Sequence, residues 1–306
     1  MANYDVMILG SGPAGLAAAI YASRAALKTA VVEKEMISGG QIINTYEVDN
    51  YPGLPGIGGF DLAEKFREHS DKMGTEYITG EVTRVEDLGA VKKVYLADGQ
   101  EFETATVVIA TGARHRHLDV PGELQFVGAG VSYCATCDGA FFRNKDVVVV
   151  GGGDVAVEDA IFLARLCRKV YVVHRRDSFR AAKILAQKLM ELPNVEILWN
   201  NVTREIVGDQ FVTGISLKNV VTGEEQTVPV DGVFIAVGIQ PNSDAFQGAV
   251  AMDEGGYICA DESGVTSVPG IFAAGDVRTK MLRQVVTATA DGANAITSVE
   301  RYLTTL

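Results

Sequence analysis

Near its start the chain has an apolar, strand-prone run, Tyr4–Leu9, that stops at Gly10-Ser11-Gly12-Pro13-Ala14-Gly15. Residues 16–27 then have helical composition, and Thr29–Glu33 is a second short strand. Strand, glycine turn, helix and strand in that order are what a dinucleotide-binding unit needs. Gly10 suits the tight turn, Gly12 lets a pyrophosphate approach the backbone, and Gly15 lets the helix pack on the strand. The helix N-terminus turns its positive dipole end toward the phosphates. Glu33 closes the second strand 21 residues after Gly12, where a carboxylate can accept hydrogen bonds from ribose hydroxyls.

The pattern returns 141 residues later, with a strand over 146–150, a turn Gly151-Gly152-Gly153-Asp154-Val155-Ala156, a helix over 158–166 and a strand over 169–173. One shift carries Gly10, Gly12 and Gly15 onto Gly151, Gly153 and Ala156, and Glu33 onto His174. Where the first copy has a carboxylate, the second has His174-Arg175-Arg176, with Arg180 following. A carboxylate repels a ribose 2′-phosphate, whereas guanidinium forks bind one. The first copy should therefore hold a 2′-hydroxyl dinucleotide and the second a 2′-phosphate form; a solvated basic turn is the plainer reading of the same residues.

The two copies also end alike. Val107-Val108-Ile109-Ala110-Thr111-Gly112 resembles Val233-Phe234-Ile235-Ala236-Val237-Gly238, and each follows a hairpin-like stretch with a turn signal, Asp98-Gly99 or Thr222-Gly223. After Gly238 another apolar run, Ile271-Phe272-Ala273-Ala274, ends in Gly275-Asp276 and leads to a helix over 284–302. That tail is too short to fold alone, so it should complete the first domain. The expected fold is α/β, with two Rossmann-like (three-layer ββα) dinucleotide-binding domains, the second inserted into the first. The domains read as 1–115 and 244–306 for the first and 116–243 for the second. Connections near 113–118 and 240–246 would act as a hinge.

Length and charge agree with this picture and exclude others. At 306 residues two domains are the natural prior, and 47% apolar with 22% charged residues is an ordinary globular composition rather than a disordered one. A net charge of −12 argues against a general nucleic-acid surface. The first residues carry no basic stretch, and no apolar run approaches the ~18–20 residues that span a bilayer. A soluble cytoplasmic protein, without nucleic acid or membrane as partner, is the expectation.

Four cysteines do not make a disulfide scaffold, and only Cys134 and Cys137 are close. Two intervening residues let such a pair close a disulfide within one turn of chain, so that one thiol resolves what the other starts. Structural zinc would need a second close pair, and no histidine follows at ligand spacing, so no metal is expected. Cys167 and Cys259 read as small buried apolar residues. Asp138, directly after Cys137, is a surface carboxylate or helix cap, or else a proton shuttle for the dithiol. Two dinucleotide turns and a dithiol suit FAD, a pyridine nucleotide and a sulfur acceptor of electrons.

These residues resemble the low-molecular-weight, bacterial-type thioredoxin reductases of the class II pyridine nucleotide-disulfide oxidoreductases along nearly the whole chain. The likeness is carried by the turn at 10–15, Gly39-Gly40-Gln41, Asn50-Tyr51-Pro52-Gly53, Ala110-Thr111-Gly112, Cys134-Ala135-Thr136-Cys137-Asp138-Gly139, the glycines at 151–153, His174-Arg175-Arg176 with Arg180, Gly275-Asp276 and Arg283-Gln284. It implies FAD contacts at Gly10, Ser11, Gly12, Pro13, Ala14, Gly15, Glu33, Lys34, Gly40, Gln41, Asn50, Val82, Ala110, Thr111, Gly112, Gly275, Asp276, Arg283, Gln284 and Val285. Asp276 would address the ribityl chain and Gln284 the isoalloxazine region. It implies NADPH contacts at Gly151, Gly153, Asp154, Val155, Ala156, His174, Arg175, Arg176 and Arg180, with the arginines on the 2′-phosphate. Cys137 would face the flavin, Cys134 would attack the disulfide of thioredoxin or a thioredoxin-like protein, and Asp138 would be the acid. Members of the family are homodimers whose small domain rotates during turnover.

Val155 departs from the family pattern, which commonly has a small hydroxyl residue there, and this puts the hydrogen bonding of that turn in question. His115-Arg116-His117, at the expected hinge, reads as solvated linker. Other enzymes built from the same parts remain open as alternatives, chiefly a related dithiol oxidoreductase acting on another small protein or a small-molecule disulfide. An alkyl hydroperoxide reductase flavoprotein would carry extra N-terminal modules. A ferredoxin–NADP reductase of this type would lack the dithiol. A non-catalytic redox sensor would not need both nucleotide sites and the dithiol.

Overall fold

The computed structural model describes residues 3–45, 48 and 50–306; Met1 and Ala2, where the chain was read for a basic leader, lie outside them. Strand β1 (Tyr4–Leu9) runs parallel to β2 (Thr29–Glu33), joined by helix α1 (Pro13–Arg24). The helix lies about a turn earlier than its composition indicates. Pro13 starts it because its fixed φ is already helical and its missing N–H is no loss in the first turn. Ala26, in the left-handed region at φ +56°, stops it before Leu27.

Helix α2 (Gly59–Lys72) and strand β3 (Glu76–Thr79) follow, then an antiparallel meander of β4 (Val82–Asp87), β5 (Lys92–Leu96) and β6 (Glu101–Ile109). The Asp98-Gly99 turn joins the last two strands, with Gly99 at φ +89°. The short strand β7 (Ala113–His115) then leads into a second compact unit, residues 115–239, inserted between 1–114 and 240–306.

In that inserted unit the sheet order is β11 (Val195–Trp199), β10 (Lys169–His174), β9 (Asp146–Gly151), β15 (Gly232–Ala236) and β8 (Val131–Ser132), all parallel. The short turn α3 (Ala135–Asp138) and the helices α4 (Asp154–Ala164) and α5 (Lys183–Met190) lie between these strands in sequence. A meander of β12 (Asn201–Gly208), β13 (Val212–Asn219) and β14 (Glu225–Pro229) makes a separate antiparallel sheet. Buried Val148, Val150, Ile206, Ile215 and Val233 form one core, and Val147, Val149, Ala156, Leu163 and Phe234 form another. The alternation of valines in β9 fills both faces of its sheet.

The chain returns through β16 (Ile239–Pro241) to strand β17 (Ile271–Ala273) and helix α6 (Val285–Leu303). β17 pairs with β6 at Ile271↔Val107, which makes the first sheet seven-stranded. α6 packs on α1 so closely that a Cβ on Gly292 would lie 2.2 Å from the Ala14 carbonyl oxygen. The tail thus completes the first unit.

The repeat is physical as well as textual. Leu9 pairs with Val32 in β1–β2, and Val150 with Val173 in β9–β10, both pairs related by 141. Leu9 also pairs with Ile109, as Val150 does with Ile235.

Candidate active site

The two nucleotide turns are held by the same steric rule. Gly10 has φ +106°, and a Cβ there would sit 2.5 Å from the Ala110 carbonyl oxygen. Gly151, at φ +159°, would place one 2.4 Å from that of Ala236. Neither Gly10 nor Gly151 could be replaced by a residue with a side chain. Gly12 is different, because a Cβ on it would meet only the Gly39 carbonyl oxygen, at 4.0 Å. The space over the start of α1 is therefore open from the protein's side, and the first turn of that helix carries no acid.

In the first unit Glu33 accepts hydrogen bonds from the Ser11 N–H and hydroxyl, both at 2.8 Å, which ties the end of β2 to the glycine turn. Lys34 is exposed beside Glu35. Ser11 and Pro13 to Gly15 form the turn and the first residues of α1. Gly40 and Gln41 begin a short 3-10 turn, and the Gln41 amide donates to the Ala113 carbonyl. Asn50 Nδ2 donates to Gln284 Oε1 at 3.0 Å, joining two candidates 234 residues apart. Thr111, between Ala110 and Gly112, donates its hydroxyl to the Asn242 carbonyl at 2.6 Å. Val82 is half-buried at the start of β4.

Asp276 gives the sharpest indication of what this unit binds. Its Oδ1 is buried and has no partner among the described residues. Burial pushes its carboxyl up, while Lys280 and Arg283 pull the other way. An orphaned buried oxygen costs roughly 1–3 kcal/mol unless something fills it, and a polyhydroxyl chain such as the ribityl of FAD would do so. Gln284 caps α6 in a reciprocal box with Thr287, directly before Val285, and Arg283 lies over the Tyr257 ring at 4.0 Å.

The residue that holds this corner is one the sequence reading missed. Asp291, 3% exposed on α6, accepts the Gly275 N–H at 2.8 Å, two contacts from Arg278 at 2.7 and 2.8 Å, and one from Lys280 at 2.8 Å. Burial alone would raise its carboxyl, but the two cations outweigh that and hold it low. Its signal was present in the spacing Ala288, Asp291, Ala295, an acid on an otherwise apolar helix stripe.

In the second unit a Cβ on Gly153 would meet only the Arg180 guanidinium, at 4.0 Å, and the Arg180 N–H donates to the Gly152 carbonyl at 2.8 Å. Arg175, Arg176 and Arg180 are all exposed. Asp154 accepts the Ala182 N–H at 2.7 Å, Val155 is 57% exposed, and Ala156 is buried. His174 is placed differently from Glu33, for it is 6% exposed and lies under Gly152, where a Cβ would meet its Nδ1 at 2.1 Å. It backs the turn with Phe179 and Trp199, leaving the arginines in front.

Cys134, the N-cap of α3, and Cys137 within it are disulfide-bonded, their Cα atoms 5.3 Å apart. Asp138, in the same turn, takes a 2.6 Å hydrogen bond from Ser132 at Oδ2, and its Oδ1 is buried without a partner among the described residues. Burial pushes this carboxyl up, with the Ser132 contact opposing. The buried Oδ1 rules out a simple surface carboxylate, and a carboxyl shifted in this direction is suited to carrying a proton.

Two readings need correction. Cys167 is buried, its thiol pushed up to about 11 by that burial, but Cys259 is exposed. Ile258 is fully buried, and the alternation of an extended chain turns its neighbour outward. His115 is not solvated linker, although Arg116 and His117 are exposed. His115 stacks on Tyr133, and His117 Nδ1 lies 3.1 Å from Glu123, whose buried carboxylate also takes the Tyr133 hydroxyl and the N–H groups of Leu118 and Asp119. Burial would raise Glu123, but these donors hold it low.

The model of the family described as pyridine nucleotide-disulphide oxidoreductase matches residues 4–292. The thioredoxin reductase of Listeria innocua is 48% identical over 301 residues, covering 98% of this chain and 94% of that protein. That of Bacillus subtilis is also 48% identical, covering 98% and 95%. The crystal structure of thioredoxin reductase from Streptococcus pyogenes matches with a TM-score of 0.93 at 46% identity, covering 99% of each chain.

Proposed function

The chain belongs to the pyridine nucleotide-disulphide oxidoreductase family, and on that premise we propose that it is an NADPH-dependent thioredoxin-disulfide reductase. Electrons pass from NADPH, through FAD and the Cys134–Cys137 pair, to the disulfide of thioredoxin or a thioredoxin-like protein. The observation that carries this reading is a disulfide beside a carboxyl raised by burial, in the same unit as a nucleotide turn flanked by three exposed arginines.

FAD, when bound, supplies the two-electron relay between nicotinamide and sulfur. The turn from Gly10 to Gly15, the 110–112 segment, Asn50, Asp276 and Gln284 would hold it, with Glu33 on a ribose. Arg175, Arg176 and Arg180 take the 2′-phosphate of NADPH, while Gly153 leaves room for its pyrophosphate. Asp138 gives a proton to the sulfur that leaves during exchange. The nicotinamide turn and the dithiol lie in the same inserted unit and serve one cofactor, so we place a rotation of that unit, about its two connections, in each turnover. Family likeness also supports a homodimer and a cytoplasmic setting; among the described residues no helix is long and apolar enough to cross a membrane.

NADPH oxidation with a panel of thioredoxins tests the reading. Turnover with at least one is expected, and turnover only with a small-molecule disulfide would favour a related dithiol oxidoreductase. Gly12→Val tests the cofactor site separately. A Cβ there meets only the Gly39 carbonyl oxygen, at 4.0 Å, so the variant should fold but elute colourless from gel filtration, where the wild type stays yellow. A yellow Gly12→Val protein would move FAD away from this turn.

A further inference from the structure

Ser132 belongs to neither nucleotide turn, yet the dithiol turn hangs from it. It sits on β8 at the edge of the parallel sheet, paired with Phe234 of β15, and is 5% exposed. Its Oγ accepts the Cys134 backbone N–H at 3.0 Å. The same atom lies 2.6 Å from Asp138 Oδ2 and 3.3 Å from the Cys134 carbonyl oxygen. A hydroxyl has one proton to give and two lone pairs with which to accept. When Asp138 is ionised, that proton goes to Oδ2. When Asp138 is protonated on Oδ2, the carboxyl becomes the donor to Oγ, and the hydroxyl proton turns to the Cys134 carbonyl. The three contacts are the set that both states need.

We propose that Ser132 is a positioning residue for dithiol exchange, its hydroxyl holding Asp138 and the Cys134 backbone in register in both protonation states of the acid. The proposal rests on the reading above. In exchange, the Cys134 thiolate displaces one sulfur of the substrate disulfide and forms a mixed disulfide. The departing thiolate takes the Asp138 proton, which leaves the carboxylate for Ser132 to bond. Cys137 gives its proton to the Asp138 carboxylate and displaces the second substrate sulfur from Cys134; that sulfur takes the proton back from Asp138, and two electrons have passed to the substrate.

Burial raises the Asp138 carboxyl, and the Ser132 hydrogen bond is the influence that opposes it. α4 packs against this turn and carries Asp154, Glu158 and Asp159, the last pushed up to about 7 by its own burial, and the neighbouring cluster carries His115, His117 and Glu123. None of these is a cause of the Asp138 shift.

The test uses holoenzyme reduced beforehand and follows its oxidation by thioredoxin disulfide in stopped flow across pH. Asp138 must be protonated to act, so the rate falls as pH rises through its pKa. In Ser132→Ala the carboxylate loses its donor, the carboxyl ionises only at higher pH, and that fall moves to higher pH. Loss of a hydrogen bond to a charged group also slows the step about tenfold at neutral pH. Ser132→Thr, which keeps the hydroxyl, restores both rate and profile. If Ser132→Ala fails to fold, Ser132→Cys, a much weaker donor, is expected to show the same shift. A slower variant with an unmoved profile, or a Thr variant no better than Ala, overturns the proposal. A wild type that thioredoxin does not oxidise overturns the functional reading instead.

Discussion

Replacing Cys134 or Cys137 with serine is expected to abolish thioredoxin reduction while NADPH still bleaches the flavin. Dithiol exchange needs two sulfurs, one to open the substrate disulfide and one to release the mixed disulfide. The two cysteines lie in one turn, bonded to each other, with the acid next in sequence. Cys167 is buried with its thiol pushed up to about 11, and so cannot substitute as a thiolate near neutral pH. Cys259 is exposed, but it lies in the other unit's chain segment and outside this turn. Loss should be essentially complete in either variant, measured with NADPH and thioredoxin. Either variant working near the wild-type rate would remove the dithiol from the path.

The second large effect concerns nucleotide choice. Arg175 and Arg176 follow directly on β10, at the end where the first unit has Glu33, and both are exposed. Each charge-assisted contact to a phosphate contributes about 1.5–3 kcal/mol, so loss of both should weaken NADPH binding about a hundredfold or more. Arg175→Ala with Arg176→Ala should leave NADH use nearly unchanged, since NADH has no 2′-phosphate. The readout is kcat/KM for each nucleotide. A wild type that uses both nucleotides equally would contradict the assignment.

What could be read from the sequence was what repeats or alternates. A constant shift of 141 lines up the glycine turns, and the strand registers Leu9↔Val32 and Val150↔Val173 follow the same shift. Helix ends were less legible, because Pro13 and the left-handed Ala26 decide them one residue at a time. Cys259 is exposed despite its residue type because the extended chain buries its neighbour Ile258. His115 is drawn in because it stacks on Tyr133, whose hydroxyl donates to Glu123, an acid that nothing local marks as buried. Asp291 and Ser132 were missed for a related reason. Each works through contacts across the fold, to Gly275 and Arg278 in one case and to Asp138 in the other, and no short motif records such contacts.

The central claim is that electrons from NADPH reach Cys134 and Cys137. Anaerobic holoenzyme, treated with NADPH, quenched in acid and alkylated, can be read cysteine by cysteine in a mass spectrometer. The account predicts that NADPH makes Cys134 and Cys137 newly alkylatable, and that oxidised thioredoxin, added before the quench, protects them again. Alkylation confined to Cys167 and Cys259, with or without NADPH, would contradict it.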